Sequence, residues 1–134
     1  MRQSPAKILV VDDDDLNLEM MEAYLQSVSY DVWTVFNGEQ ALALVRQAPP
    51  DVILLDVRMH GMSGYDVCRA LKAGEATRHI PVLMVTGFRE AEDIRQIIAA
   101  GADDLLFKPI NSAIMLLRVR RMVYQKQLYD KLYG

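Results

Sequence analysis

Four aspartates, Asp12 to Asp15, follow the apolar run Ile8-Leu9-Val10-Val11, and Asp56 follows Val52-Ile53-Leu54-Leu55. Thr86 follows Val82-Leu83-Met84-Val85, and Lys108-Pro109 follows Leu105-Leu106-Phe107. If these runs are parallel strands, the residues after them meet beyond the carboxyl ends of one sheet, where ligands bind in such folds. Two carboxylates ~5 Å apart repel by roughly 3 kcal/mol at an effective dielectric of ~20. That exceeds the ~0.5–2 kcal/mol of a helix cap, so capping alone does not account for Asp12 and Asp13 beside Asp56. A hard divalent cation does: Mg²⁺ takes one or two carboxylates, several waters and phosphate oxygens. Asp14 and Asp15 read as a solvated turn carrying one N-cap.

A carboxylate can also attack phosphorus to form an aspartyl phosphate. The transferred group then needs cations and donors on its equatorial oxygens. Asp56, after the central strand, is the best placed nucleophile, with Mg²⁺, the Lys108 ammonium and the Thr86 hydroxyl each on one oxygen.

Such a site needs a scaffold. The unbroken apolar runs suit strands buried on both faces, and Val32 to Phe36, which mixes Thr and Trp with Val, suits an edge strand. Between them the apolar spacing becomes helical: Leu18, Met21, Leu25 and Val28; Ala41, Leu42 and Val45; Val67, Cys68 and Leu71; Ile94, Ile97 and Ile98. Asn37-Gly38, Pro49-Pro50, Gly61 to Gly64, Pro81, Gly101 and Pro109 punctuate the connections. Strand and helix alternating five times predict one α/β domain with a doubly wound parallel sheet. The 134 residues suit one core. Asn111 is a suitable N-cap, and nothing interrupts a helix from there to Tyr133, a length of about 33 Å at ~1.5 Å per residue. A covering helix needs about half of that, so the end is expected to overhang.

The single cysteine, Cys68, excludes an intramolecular disulfide framework and a cysteine-rich zinc site. No apolar run approaches the ~18 residues of a membrane span, and the short polar N-terminus is not a signal peptide, so a cytoplasmic location is expected. The net charge of −3 conceals an asymmetry: residues 1–110 carry 10 basic and 17 acidic groups, residues 111–134 carry 5 and 1. An acidic body argues against direct nucleic-acid binding.

From about Lys7 to Leu117 the chain resembles the receiver domains of two-component response regulators. The resemblance rests on Ile8-Leu9-Val10-Val11-Asp12-Asp13, on Asp51-Val52-Ile53-Leu54-Leu55-Asp56 followed by Met59, Gly61, Met62 and Gly64, on Thr86, and on Gly101-Ala102-Asp103-Asp104 through Lys108-Pro109. Each piece alone is weak; together, in order and at these intervals, they are highly specific. The resemblance implies a flavodoxin-like (βα)5 fold with strand order 2-1-3-4-5, whose order reverses between the strands bearing Asp12, Asp13 and Asp56. It implies a phosphoryl switch that takes its group from a histidine kinase or phosphotransfer protein and modifies only itself. Asp13, Asp56 and the Arg58 carbonyl would bind the metal, Asp12 would act through water, and the Lys108-Pro109 bond would be cis. The division expected is a tail at 1–6, a receiver body at 7–122, and an overhanging helix end at 123–134.

Two positions depart from the family pattern. His60 replaces the usual proline after Met59 and reads as a surface residue that touches no chemistry. Leu105 replaces the usual switch aromatic, so coupling between Thr86 and an inward-swinging ring cannot run in that form. Arg58 and Phe88, each two residues after a site residue, hold positions that in the family influence hydrolysis; their bulk is expected to hinder water and prolong the phosphorylated state.

Other readings fit less well. A haloacid-dehalogenase-type phosphotransferase wants a second Asp where Arg58 stands, and nucleotide or flavin binding lacks a Gly-rich loop after the first strand. A phosphorylation-independent interaction module would not need Asp12, Asp13, Asp56, Thr86 and Lys108 together. In the tail, Met115, Val119, Met122, Lys126, Tyr129 and Tyr133 make a weak coiled-coil stripe with a lysine in its seam. The last helix is expected to link to a homodimer partner or an output domain.

Overall fold

The computed structural model describes residues 4–134, so half of the expected 1–6 tail lies outside the described residues. Five strands alternate with five helices: β1 Lys7–Val11, α1 Asp15–Gln26, β2 Asp31–Val35, α2 Gly38–Gln47, β3 Val52–Asp56, α3 Gly64–Ala73, β4 Val82–Thr86, α4 Ala91–Ala99, β5 Asp104–Phe107 and α5 Ser112–Tyr133. The strands form one parallel sheet in the order β2-β1-β3-β4-β5. This is the doubly wound parallel sheet that the alternation of strand and helix predicted, in the flavodoxin-like order that the resemblance implied.

The apolar runs are unbroken because alternate residues feed two cores. Leu9, Val11, Ile53, Leu55, Val82 and Met84 pack with residues of α2, α3 and α4. Ile8, Val10, Val52, Leu54, Leu83 and Val85 pack with residues of α1 and α5 on the other face. β2, an edge strand, is only partly buried. Two apolar residues assigned to helix faces sit elsewhere. Val28 lies beyond the end of α1 and is exposed, while Ile98, about 100° round the helix from buried Ile97, is 68% exposed.

The stripe on α5 faces inward. Met115, Val119, Met122 and Lys126 are buried against the body, so it is largely an internal seam rather than a free coiled-coil surface. The packed part also continues past residue 122. Val123 and Lys126 are buried, Lys126 donates to both oxygens of Asp130 at 2.7 and 2.8 Å and lies 3.9 Å from Asp51, and Tyr129 stacks on His79 at 4.3 Å. Asp51 and His79 lie just before β3 and β4, so the helix end covers the edge of the sheet opposite the acidic cluster. Among the described residues no helix is long and apolar enough to cross a membrane.

Candidate functional site

The reversal of strand order places the ends of β1 and β3 side by side, with Val11 paired to Leu55. Asp12 follows that pair, and carboxylate oxygens of Asp12, Asp13 and Asp56 lie within 4.8 Å of one another. β4 runs beside β3, with Asp56 level with Val85 and Thr86 one residue beyond. The backbone N–H of Lys108 donates to the Thr86 carbonyl at 2.8 Å, so β5 delivers the lysine to the same end. Its cis bond to Pro109 is present as expected. Gly64 lets α3 begin directly beneath this edge: a Cβ there would collide with the Asp56 carbonyl.

The aspartates occupy different environments. Asp12 is fully buried; its Oδ1 accepts from the Asp14 N–H at 2.9 Å, while its Oδ2 has no hydrogen-bond partner and lies 3.9 Å from Lys108 Nζ. Burial pushes its carboxyl above the ordinary range. Asp56, 5% exposed, receives Lys108 Nζ on Oδ1 at 3.0 Å. Burial, reinforced by Asp12, raises Asp56 to about 6, against the opposing pull of Lys108. Asp13 is more exposed and is held below the usual range, chiefly by the His60 backbone N–H. Asp14 caps α1 by accepting from Asn17 N, which accounts for one of the two remaining acids of the run.

An orphaned, buried carboxylate oxygen is costly unless something binds it. Three converging carboxylates with a single ammonium beside them fit a hard divalent cation.

His60 is not inert. Its backbone N–H and its ring Nδ1 both lie 2.8 Å from Asp13 Oδ2, although the ring is fully exposed. A histidine in a loop gives no periodic signal of such a contact; only folding brings it across 47 residues to Asp13. Thr86 is buried, and its hydroxyl accepts from the Phe88 N–H at 3.0 Å. The Arg58 guanidinium stacks on Phe88 at 4.1 Å from the ring centroid. Leu105 is half-buried and its carbonyl accepts from Arg118 at 2.7 Å, so α5 is tied to β5 where the family places an aromatic. Arg89, missed in the sequence, stacks on Phe107 at 4.3 Å and reaches the Lys108 carbonyl at 3.4 Å.

The chain is similar to known proteins in sequence and in fold. Residues 8–120 match the family model described as the response regulator receiver domain. The chain is 44% identical over 127 residues to the response regulator PleD of Caulobacter vibrioides, covering 95% of this chain and 28% of PleD. It is 39% identical over 120 residues to the DNA-binding response regulator MtrA of Mycolicibacterium smegmatis, covering 90% of this chain and 50% of MtrA. It thus spans between about a quarter and a half of these curated relatives.

Among solved structures, the chemotaxis response regulator CheY4 of Vibrio cholerae superposes with a TM-score of 0.83 at 34% identity, covering 88% of this chain and 98% of that one. The receiver domain of a sensor histidine kinase from Pseudomonas aeruginosa, with a magnesium ion in its active-site cleft, superposes with a TM-score of 0.83 at 31% identity, covering 89% and 98%. With the sheet order, the strand-end acids and the lysine all in place, the chain belongs to the receiver domain family of two-component response regulators.

Proposed function

We propose that Asp56 is the phosphoacceptor of this receiver and that its partner is a histidine kinase or phosphotransfer protein bearing phosphohistidine. The observation that carries this is the 3.0 Å contact between Lys108 Nζ and Asp56 Oδ1 inside a cluster of three carboxylates. An Asp56 oxygen forms the new bond to phosphorus as the phosphorus–nitrogen bond of the donor breaks, and the electron pair of that bond returns to the imidazole. Lys108 supplies positive charge to the oxygens of the incoming group, and Thr86, whose hydroxyl oxygen accepts from the Phe88 N–H, has its own proton free to donate to another. Asp13, Asp56 and the Arg58 carbonyl would hold Mg²⁺, with Asp12 acting through water. When bound, Mg²⁺ neutralises charge on the phosphoryl oxygens.

The product carries up to ~2 negative charges where one carboxylate stood, a local electrostatic switch. The chain then acts only on itself and turns over no free substrate. Leu105 cannot supply an aromatic swing, so the signal leaves by another route. Arg89 and Arg118 bind the backbone of β5 and its end from α4's leading loop and from α5, which supports a path through the β5–α5 edge.

Residues 123–134, beyond a receiver body at 7–122, dock on that body with one face and serve with the other as a contact to an output domain or a second copy. Support comes from the outer face of α5, where Leu117, Tyr124, Leu128 and Leu132 are exposed beside Arg120 and Arg121. No nucleic acid or membrane is needed for this activity, and it belongs in the cytoplasm.

The test is incubation with Mg²⁺ and a small acyl phosphate, followed by intact mass. One added phosphoryl group in the wild type and none in Asp56→Asn is expected; a gain that persists in Asp56→Asn refutes the assignment.

A further inference from the structure

We propose that Arg89 is a positioning residue for phosphoryl transfer: it holds the backbone of Phe107 and Lys108 so that the Lys108 ammonium stays on Asp56. The inference rests on the assignment of Asp56 as phosphoacceptor and Lys108 as its cation.

β5 ends at Phe107, so Lys108 is the first residue beyond the strand. Its N–H still donates to the Thr86 carbonyl at 2.8 Å, but its own carbonyl has no ladder partner. Thr86 pairs with Phe107, and in that parallel register the next donor on the β4 side is the Phe88 N–H. That N–H goes instead to the Thr86 hydroxyl at 3.0 Å. Arg89, in the loop between β4 and α4, takes its place: Nη2 donates to the Lys108 carbonyl at 3.4 Å, and the guanidinium lies over the Phe107 ring, 4.3 Å from its centroid. One planar cation thus holds two successive residues, a geometry open to guanidinium and not to a compact ammonium.

The two hydrogen bonds close a ring. The Thr86 carbonyl accepts from Lys108, and the Lys108 carbonyl accepts from Arg89, three residues after Thr86. Thr86 and Lys108, the two side chains assigned to phosphoryl oxygens, are thereby fixed to each other. A lysine reaches its target on a flexible four-carbon stem, so anchoring its backbone narrows where Nζ can stand, here 3.0 Å from Asp56 Oδ1. Phosphoryl transfer depends chiefly on such placement of charge.

The test is the rate of phosphorylation of the full chain with Mg²⁺ over a range of concentrations of a small acyl phosphate. Arg89 is exposed and Phe107 half-buried, so Arg89→Ala, Arg89→Lys and Phe107→Leu are expected to fold, which urea unfolding verifies. Arg89→Ala and Phe107→Leu should each lower the maximal rate about fivefold and leave the half-saturating donor concentration within about twofold. Arg89→Lys, which returns a cation to the ring, should fall between the wild type and Arg89→Ala. In a Lys108→Ala background, Arg89→Ala should cost nothing further, because Arg89 acts through Lys108. An unchanged maximal rate, a loss confined to the half-saturating concentration, or an equal loss with Lys108 already removed would overturn the inference. If Lys108→Ala still slows transfer to Asp56, that failure leaves the assignment of Asp56 and Lys108 standing. If the wild type takes no phosphoryl group, or Asp56→Asn takes one, both fall.

Discussion

The Arg58 guanidinium lies over the Phe88 ring, 4.1 Å from its centroid, and joins the loop after β3 to the loop after β4 beside Asp56 and Thr86. The two residues, expected to hinder water through their bulk, are in contact with each other. An exposed cation–π contact is worth ~0.5–1 kcal/mol, which corresponds to an opening about 2–5 times more frequent when it is lost. Arg58→Ala and Phe88→Ala should each speed loss of the phosphoryl group by about that factor, with little further gain in the double variant. Phosphate release after removal of the donor measures it; an unchanged rate in the double variant would discard the stack as a water barrier.

What was legible in the sequence follows from periodicity and from residues next to strands. The apolar runs marked β1, β3 and β4 to within a residue, because both faces of the sheet are buried there and no polar position interrupts them. Asp12, Asp56, Thr86 and Lys108 were legible because each ends or directly follows a strand. The His60–Asp13 and Arg89–Phe107 contacts were not, since loop side chains meet only after the sheet forms. Lys126 looked like a flaw in a seam; its partners are Asp130 on the same helix and Asp51, far away in sequence.

Lys108 is the cation in direct contact with Asp56, at 3.0 Å. Lys108→Ala should slow phosphorylation by a small acyl phosphate by about 10²-fold or more, as expected for removing a preorganised charge at a transferring group. A mass-spectrometric time course decides this. Wild-type kinetics in the variant would remove Lys108 from the mechanism.

The Asp56 carboxyl is raised to about 6 in the folded chain. Between the ordinary Asp range and that value, the folded state holds a proton that the unfolded chain has released. Without metal, stability should therefore fall as pH rises through this window. The full cost at pH 7.5 is up to about 3 kcal/mol. Metal-free Asp56→Asn should accordingly be more stable than the wild type at pH 7.5 and nearly equal to it at pH 4 in urea unfolding. The reverse ordering at pH 7.5 would show that Asp56 is not strained by ionisation.

Lys126 is buried with its ammonium on Asp130 and near Asp51. Lys126→Ala should destabilise the fold by ~1–3 kcal/mol, and Lys126→Met, which keeps the apolar stem, by less. Urea unfolding of the two variants checks the order. Equal, negligible effects would mean that the helix beyond Val123 is not docked.

The most direct measurement is to trap the acyl phosphate. After phosphorylation with Mg²⁺ and a small acyl phosphate, borohydride reduction converts a phosphorylated aspartate to homoserine, which peptide mapping locates. Homoserine at position 56 alone, absent from Asp56→Asn, is the result expected. Homoserine at Asp12, Asp13 or another carboxylate, or none after a phosphate-sized mass gain, would contradict Asp56 as the acceptor.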